Sequence, residues 1–176
     1  EEGNDPRGID VGFLIRSTKI KVIEVKQLAK DDKLDFEGAQ GAKLFDRTPL
    51  MVRAEVIDPK NPTPLAVTVV VNHIKSFLGV DSDTDGDRVR NKRRLEAEWL
   101  ANFVLERQKA DPNEKIILCG DFNAFQFNDG YNDLIGTLRG KPEPNVIAPS
   151  KFATPTGLAN LVDFIDAKNR YSYTFD

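Results

Sequence analysis

The sequence predicts a layered α/β domain, and three observations carry that expectation. Short apolar runs of strand character recur along the chain, a long helical pattern separates two of them, and no linker divides the chain in two. The 176 residues are 40% hydrophobic and 30% charged, which is apolar material enough for one core. Residues 1–176 are therefore read as a single domain. The apolar residues fall in periodic clusters, which argues against a disordered chain. No stretch approaches the ~20 consecutive apolar residues of a membrane span. The start, Glu1-Glu2-Gly3-Asn4-Asp5, is acidic and polar and does not read as a secretory signal.

Val11-Gly12-Phe13-Leu14-Ile15 is an apolar run of β character, and Ile20-Lys21-Val22-Ile23-Glu24-Val25 alternates. With Ser17-Thr18-Lys19 between them, the two predict a hairpin. Residues 29–47 are polar, glycine-bearing and without period, and are read as loop. Residues 51–57 alternate as a half-buried strand should, and the prolines of residues 58–64 predict a turn. Residues 65–71 are almost continuously apolar, which predicts a strand covered on both faces and ending in Asn72-His73.

Residues 79–90 read as an acidic loop. From about Asn91 to Ala110, Leu95, Trp99 and Phe103 recur at helical spacing, with Leu100 and Val104 beside them. Asp111-Pro112-Asn113 ends that helix. Ile116-Ile117-Leu118-Cys119 reads as a short buried strand delivering Gly120-Asp121. A short helix is expected near residues 130–138, loop across 140–157, and a last strand near 171–175.

Composition narrows the chemistry. Net charge is -3 with a pI near 5.3, so the chain lacks the basic excess by which proteins hold nucleic acid through bulk electrostatics. Binding of a polyanion would need a local basic patch and a bridging cation. Cys119 is the only cysteine, which excludes an internal disulfide framework and a zinc–thiolate cluster. His73 is the only histidine, which excludes multi-histidine metal sites. A bound metal would be a hard cation held by oxygen atoms.

Gly120-Asp121-Phe122-Asn123 carries the sharpest signal. At the end of a strand, a spacing of two puts Asp121 and Asn123 on one face of the sheet's rim. A carboxylate and an amide there suit a divalent cation, its water and a phosphate oxygen. The alternative is an Asx turn after a strand.

Asn72 and His73 end the neighbouring apolar run at the kind of strand terminus where α/β folds gather their sites, and Lys75 beside them suits an anion. A lone histidine is more often structural, and the sequence leaves open whether His73 is a cation or a neutral donor. Asp81-Ser82-Asp83-Thr84-Asp85-Gly86-Asp87 matches the opening of a Ca²⁺ loop, but Lys92 stands where the closing glutamate belongs, so a solvated acidic loop is the default. Arg88, Arg90, Lys92, Arg93 and Arg94 are expected to form a solvated helix face with pairs such as Arg94–Glu98, rather than a phosphate-facing patch. The aromatics of Arg170-Tyr171-Ser172-Tyr173-Thr174-Phe175 would wall a nucleotide site or pack at an edge.

Taken together, these segments resemble the endonuclease/exonuclease/phosphatase superfamily, which includes the DNase I-like nucleases. The resemblance runs through the segment from Asp5 to Arg16, through Val71-Asn72-His73-Ile74-Lys75-Ser76 and through Arg93-Arg94-Leu95-Glu96-Ala97. It continues in Gly120-Asp121-Phe122-Asn123-Ala124-Phe125, in Asp129-Gly130-Tyr131 and in residues 170–175. It implies a four-layer α/β sandwich of two mostly antiparallel sheets, and Mg²⁺- or Mn²⁺-dependent hydrolysis of phosphodiesters, with nucleic acid as substrate. The alternatives are another phosphate ester as substrate, such as a phospholipid or an inositol phosphate, or a catalytically silent binding module.

By the same resemblance, Asp121 orients the attacking water, Asn123 holds the phosphate, and both lie at the metal. His73 contacts the scissile phosphate, with Asn72, Lys75, Arg7 and Tyr173 on the substrate side. An extracellular or periplasmic location is implied as well. The family's metal-binding glutamate and its closing Asp-His pair have no counterpart in this sequence. The resemblance therefore implies a chain that covers the fold without its first and last parts.

Overall fold

Alternation of β-branched residues makes the strands, and their order along the chain makes one sheet. In the computed structural model, which describes residues 2–37, 39 and 41–170, strand β1 spans Ile20–Gln27, β2 Leu50–Asp58, β3 Asn61–His73 and β4 Ile116–Asp121. Helix α1 (Gly86–Ala110) lies between β3 and β4 in sequence, and the short α2 (Leu134–Arg139) follows β4. The sheet order is β1-β2-β3-β4, with β1, β2 and β3 antiparallel in succession and β4 parallel to β3. The result is a small mixed α/β domain, one four-stranded sheet flanked by two helices. Among the described residues no helix is long and apolar enough to cross a membrane.

The core lies on one face of the sheet. Met51 of β2 and Val70 of β3 pack with Ala97 and Leu100 of α1 and with Leu134 and Leu138 of α2. Leu28, Leu34, Leu44 and Phe45 close the cluster from the segment read as loop. That segment is indeed without regular strands, yet it supplies core residues, because isolated apolar side chains in a polar stretch leave no period to detect.

The other face is different. Cross-strand register aligns Val25 with Val52 and Val69, Val22 with Ala54 and Val67, and Val69 with Ile117. This face is almost wholly apolar and none of these residues belongs to the core cluster; Val52 and Ala54 at its centre are buried, while Val22, Val25, Leu65 and Ile117 around them are exposed. The burial of β3 on both faces is thus corrected: Thr68, Val70 and Asn72 are buried, while Val67, Val69 and Val71 are half-buried. For the same reason β4, an edge strand with its lower face uncovered, is half-exposed rather than buried.

Three further expectations change. Residues 11–15 form no strand, and Leu14 is fully exposed, because β1 pairs with β2 and no described strand lies beside 11–15. The turn before β1 is present, with Lys19 N donating to Arg16 O at 2.9 Å. Helix α1 begins at Gly86, earlier than the apolar pattern suggests, since its first turns are built from charged residues. Its buried stripe is Val89, Arg93, Glu96, Ala97, Leu100, Ala101 and Val104, so Leu95, Trp99 and Phe103 lie on its half-buried flank. The strand expected at 171–175 lies outside the described residues.

Candidate functional site

Parallel pairing of β3 and β4 brings two chain ends to one rim. Asn72 stands opposite Gly120, and His73 opposite Asp121. Gly120 has φ 114°, and a Cβ there would collide with the Asn72 carbonyl, so glycine is what lets β4 approach this closely. By register His73 and Asp121 share the apolar face, at its C-terminal edge, with Nε2 and Oδ2 3.7 Å apart. The Asp121 side chain is 63% exposed, so the rim is open to a ligand.

Beyond Asp121 the chain makes an Asx turn, Asn123 N donating to Asp121 Oδ1 at 2.8 Å. Asn123 itself is left-handed, φ 45°. Its Nδ2 donates to Ile74 O at 2.9 Å, which fixes the amide against the end of β3 and leaves Oδ1 as the acceptor. Ile74 N in turn donates to Asp121 O at 2.9 Å. The two segments are therefore stitched in both directions. His73, Asp121 and Asn123 are brought together.

The remaining expected residues divide. Lys75 is half-buried beside them, and desolvation is the main cause that lowers its pKa. Arg7 lies near enough to lower the His73 pKa, and Asp5 holds its guanidinium through Nε–Oδ1 at 2.9 Å and Nη2–Oδ2 at 2.7 Å. The same guanidinium holds the Asp5 carboxyl well below the usual carboxylate range. Asn72 points into the core instead, 1% exposed, with Nδ2 donating to Cys119 O at 2.6 Å. From there it braces the rim from behind. Tyr173 lies outside the described residues.

Burial lowers the His73 pKa first, Arg47 lowers it further, and Asp121 works in the opposite direction. Below its ordinary 6.5, this histidine is mainly neutral at pH 7, a donor through one ring nitrogen. Arg47, buried, donates to His73 O at 3.3 Å and Ile74 O at 3.1 Å and pairs with Asp5 at 3.5 Å. Nothing in the aperiodic 29–47 segment marks it. Arg93, Glu96 and Asp129 also stand behind the rim, and Arg93 and Glu96 are legible in principle. Carried back from Leu100 and Ala97 by helical spacing, the buried stripe of α1 lands on both.

The basic cluster of α1 is mostly engaged with carboxylates. Arg88 pairs with Asp85 at 2.6 Å, Arg90 with Asp87 at 2.6 Å and Arg94 with Glu98 at 3.0 Å, the last as expected. Lys92 and Arg93 are not solvated but buried, on Asp46 and Asp129. Their spacing from Val89 and Glu96 turns them inward.

The acidic loop thus spends Asp85 and Asp87 on arginines of its own helix. No group of three or more His, Cys, Asp or Glu able to hold a metal occurs among the described residues, at this loop or elsewhere. At the rim, Asp121 is a single exposed carboxylate, with the Asn123 backbone N bonded to its Oδ1. A Mg²⁺ ion keeps several waters and binds through one or two carboxylates plus substrate phosphate. The rim offers one carboxylate toward such an ion, one short of a firm site. No protein-family model, no curated protein and no solved structure matches this chain.

Proposed function

We propose that this chain carries the phosphate-handling rim of a metal-dependent phosphodiesterase, a nuclease of the endonuclease/exonuclease/phosphatase type. One observation carries the reading: parallel β3 and β4 set His73 opposite Asp121 at 3.7 Å, with Asn123 locked two residues on. Asp121 and Asn123 would hold a Mg²⁺ or Mn²⁺ ion, which when bound supplies charge neutralisation on the phosphoryl oxygens. Asp121, an acceptor only, orients the attacking water. Neutral His73, and the second N–H of Asn123 Nδ2, aim hydrogen bonds at the oxygens where charge develops, and such pre-set donors usually do more for the rate than any other single effect. Arg7, pre-set by Asp5, and Lys75 offset the phosphate charge that an acidic chain would otherwise repel.

The uncovered apolar face supports the finer fold reading. A sandwich of the DNase I type lays a second sheet against such a face, and the burial of Val22, Val25, Leu65 and Ile117 would follow. A second functional reading, a silent binding module, draws on the single carboxylate at the rim and the absence of a metal-holding cluster among the described residues.

The test is hydrolysis of an oligonucleotide with Mg²⁺, run on this chain and on any longer form its gene encodes. EDTA should abolish cleavage, and Asp121→Ala should lower it at least about 1,000-fold. Near wild-type cleavage by Asp121→Ala would sink the assignment. Turnover of a phospholipid or an inositol phosphate in place of the oligonucleotide would move the substrate within the same chemistry. Absence of turnover in every form would favour the binding module.

A further inference from the structure

The rim depends on two separate chain segments, residues 73–75 and 121–123, keeping one spacing. Besides Asn123 Nδ2 on Ile74 O, one side chain from a third element, α1, spans them from below. Arg93 of α1 is 0% exposed, its Nη1 donating to Lys75 O at 2.6 Å and its Nη2 to Asn123 O at 2.9 Å. The same Nη2 lies 3.0 Å from Asp129 Oδ2, and the guanidinium carbon sits 4.0 Å from the centroid of the Phe77 ring. Each bridged carbonyl lies within two residues of a group assigned to the chemistry, His73 on one side and Asp121 and Asn123 on the other.

Burying a guanidinium is costly, and replacing a whole buried ion pair by well-packed apolar residues of similar size is often neutral or stabilising. Val89, Ala97 and Leu100 are apolar along the same stripe. What an apolar residue cannot do is hold two carbonyls from different segments at a fixed separation. A planar fork with donors on both arms can, whereas a lysine offers one point charge. Asn123 adds a reason for the grip: its left-handed φ of 45° is held by its own N, its Nδ2 and its carbonyl, and Arg93 supplies the partner of the last.

We propose that Arg93 is a positioning residue, fixing the distance between His73 and the Asp121–Asn123 turn by bridging Lys75 O and Asn123 O. The catalytic consequence rests on the function proposed above; the bridge itself does not.

Two readouts separate these. In the active protein, Arg93→Lys keeps the charge and loses one arm, so kcat should fall at least about tenfold while KM stays within about twofold. By amide hydrogen exchange, Ile74 and Asn123 should exchange faster in Arg93→Lys, while Thr68, bonded to Lys115 O at the far end of the sheet, is unchanged. Asp129→Asn, which loosens the guanidinium without touching either bridged carbonyl, should show the same pattern more weakly; it serves if Arg93→Lys fails to fold. Exchange that rises uniformly along the sheet, or a folded Arg93→Lys with unchanged kcat, would overturn the proposal. A wild type inactive on every phosphodiester would sink the functional reading alone, since the exchange contrast decides the bridge by itself.

Discussion

Two acid-bearing segments of this chain, Asp81–Asp87 and Asp121–Asn123, look alike as candidate cation sites in one dimension, and they part company in three. In the first, Asp85 meets Arg88 and Asp87 meets Arg90 within the same helix start, so two of its four acids are neutralised locally. In the second, Asp121 faces a histidine from the adjacent strand at 3.7 Å, and the next turn is tied down by Asn123. Acids close in sequence find cations close in sequence. A site assembled across a sheet leaves its carboxylate free for something else.

That contrast sets the size of the expected effects. After Asp121→Ala, the largest loss is expected from His73→Ala, about 100-fold in hydrolysis, since it removes the imidazole donor from the rim. Steady-state kinetics on the active form checks it, and a loss under about threefold would detach His73 from the chemistry.

Next comes a pH effect from behind the rim. Glu96 is buried, accepts from Lys75 N at 2.7 Å, and is pushed from 4.5 up to about 8 by desolvation. Because the folded pKa is the higher one, the native state binds the extra proton. The stability so contributed is complete below pH 4.5 and lost as pH rises through about 8. Glu96→Gln cannot titrate, so its melting temperature should vary less than that of wild type between pH 5 and 9. An unchanged pH slope would place the carboxylate in a more polar setting than this one. The smallest effect belongs to the acidic loop: Asp85→Asn should cost no more than about 1 kcal/mol and leave hydrolysis within about twofold, as for a partly exposed ion pair. Thermal melts and the same kinetic assay measure both.

The legibility of the chain follows the same division between local and assembled features. β2, β4 and the short α2 are readable because alternation or a turn signal marks each of them locally. His73, Asp121 and Asn123 are readable because each sits where an apolar run stops. Arg47 is not, since a buried arginine in an aperiodic segment has no pattern around it. Arg93 and Glu96 are obscured for a subtler reason. The large residues Leu95, Trp99 and Phe103 suggest one stripe, whereas the buried face runs through Val89, Arg93, Glu96, Ala97, Leu100, Ala101 and Val104, where two charged residues break the apolar pattern. The unpaired run at 11–15 shows the converse limit: strand-forming residues make no strand without a partner.

The contrast between rim and loop can be measured directly with Mn²⁺, which suits carboxylate and water ligands and broadens nearby proton resonances. His73 is the only histidine, so its imidazole proton reports the rim alone, and the Asn91 side-chain amide, bonded to Asp87 O at 2.8 Å, reports the loop. Added Mn²⁺ should broaden the His73 line first, and Asp121→Asn should remove this while Asp85→Asn does not. Broadening of Asn91 ahead of His73, or a His73 response indifferent to Asp121→Asn, would contradict a rim built to hold the cation.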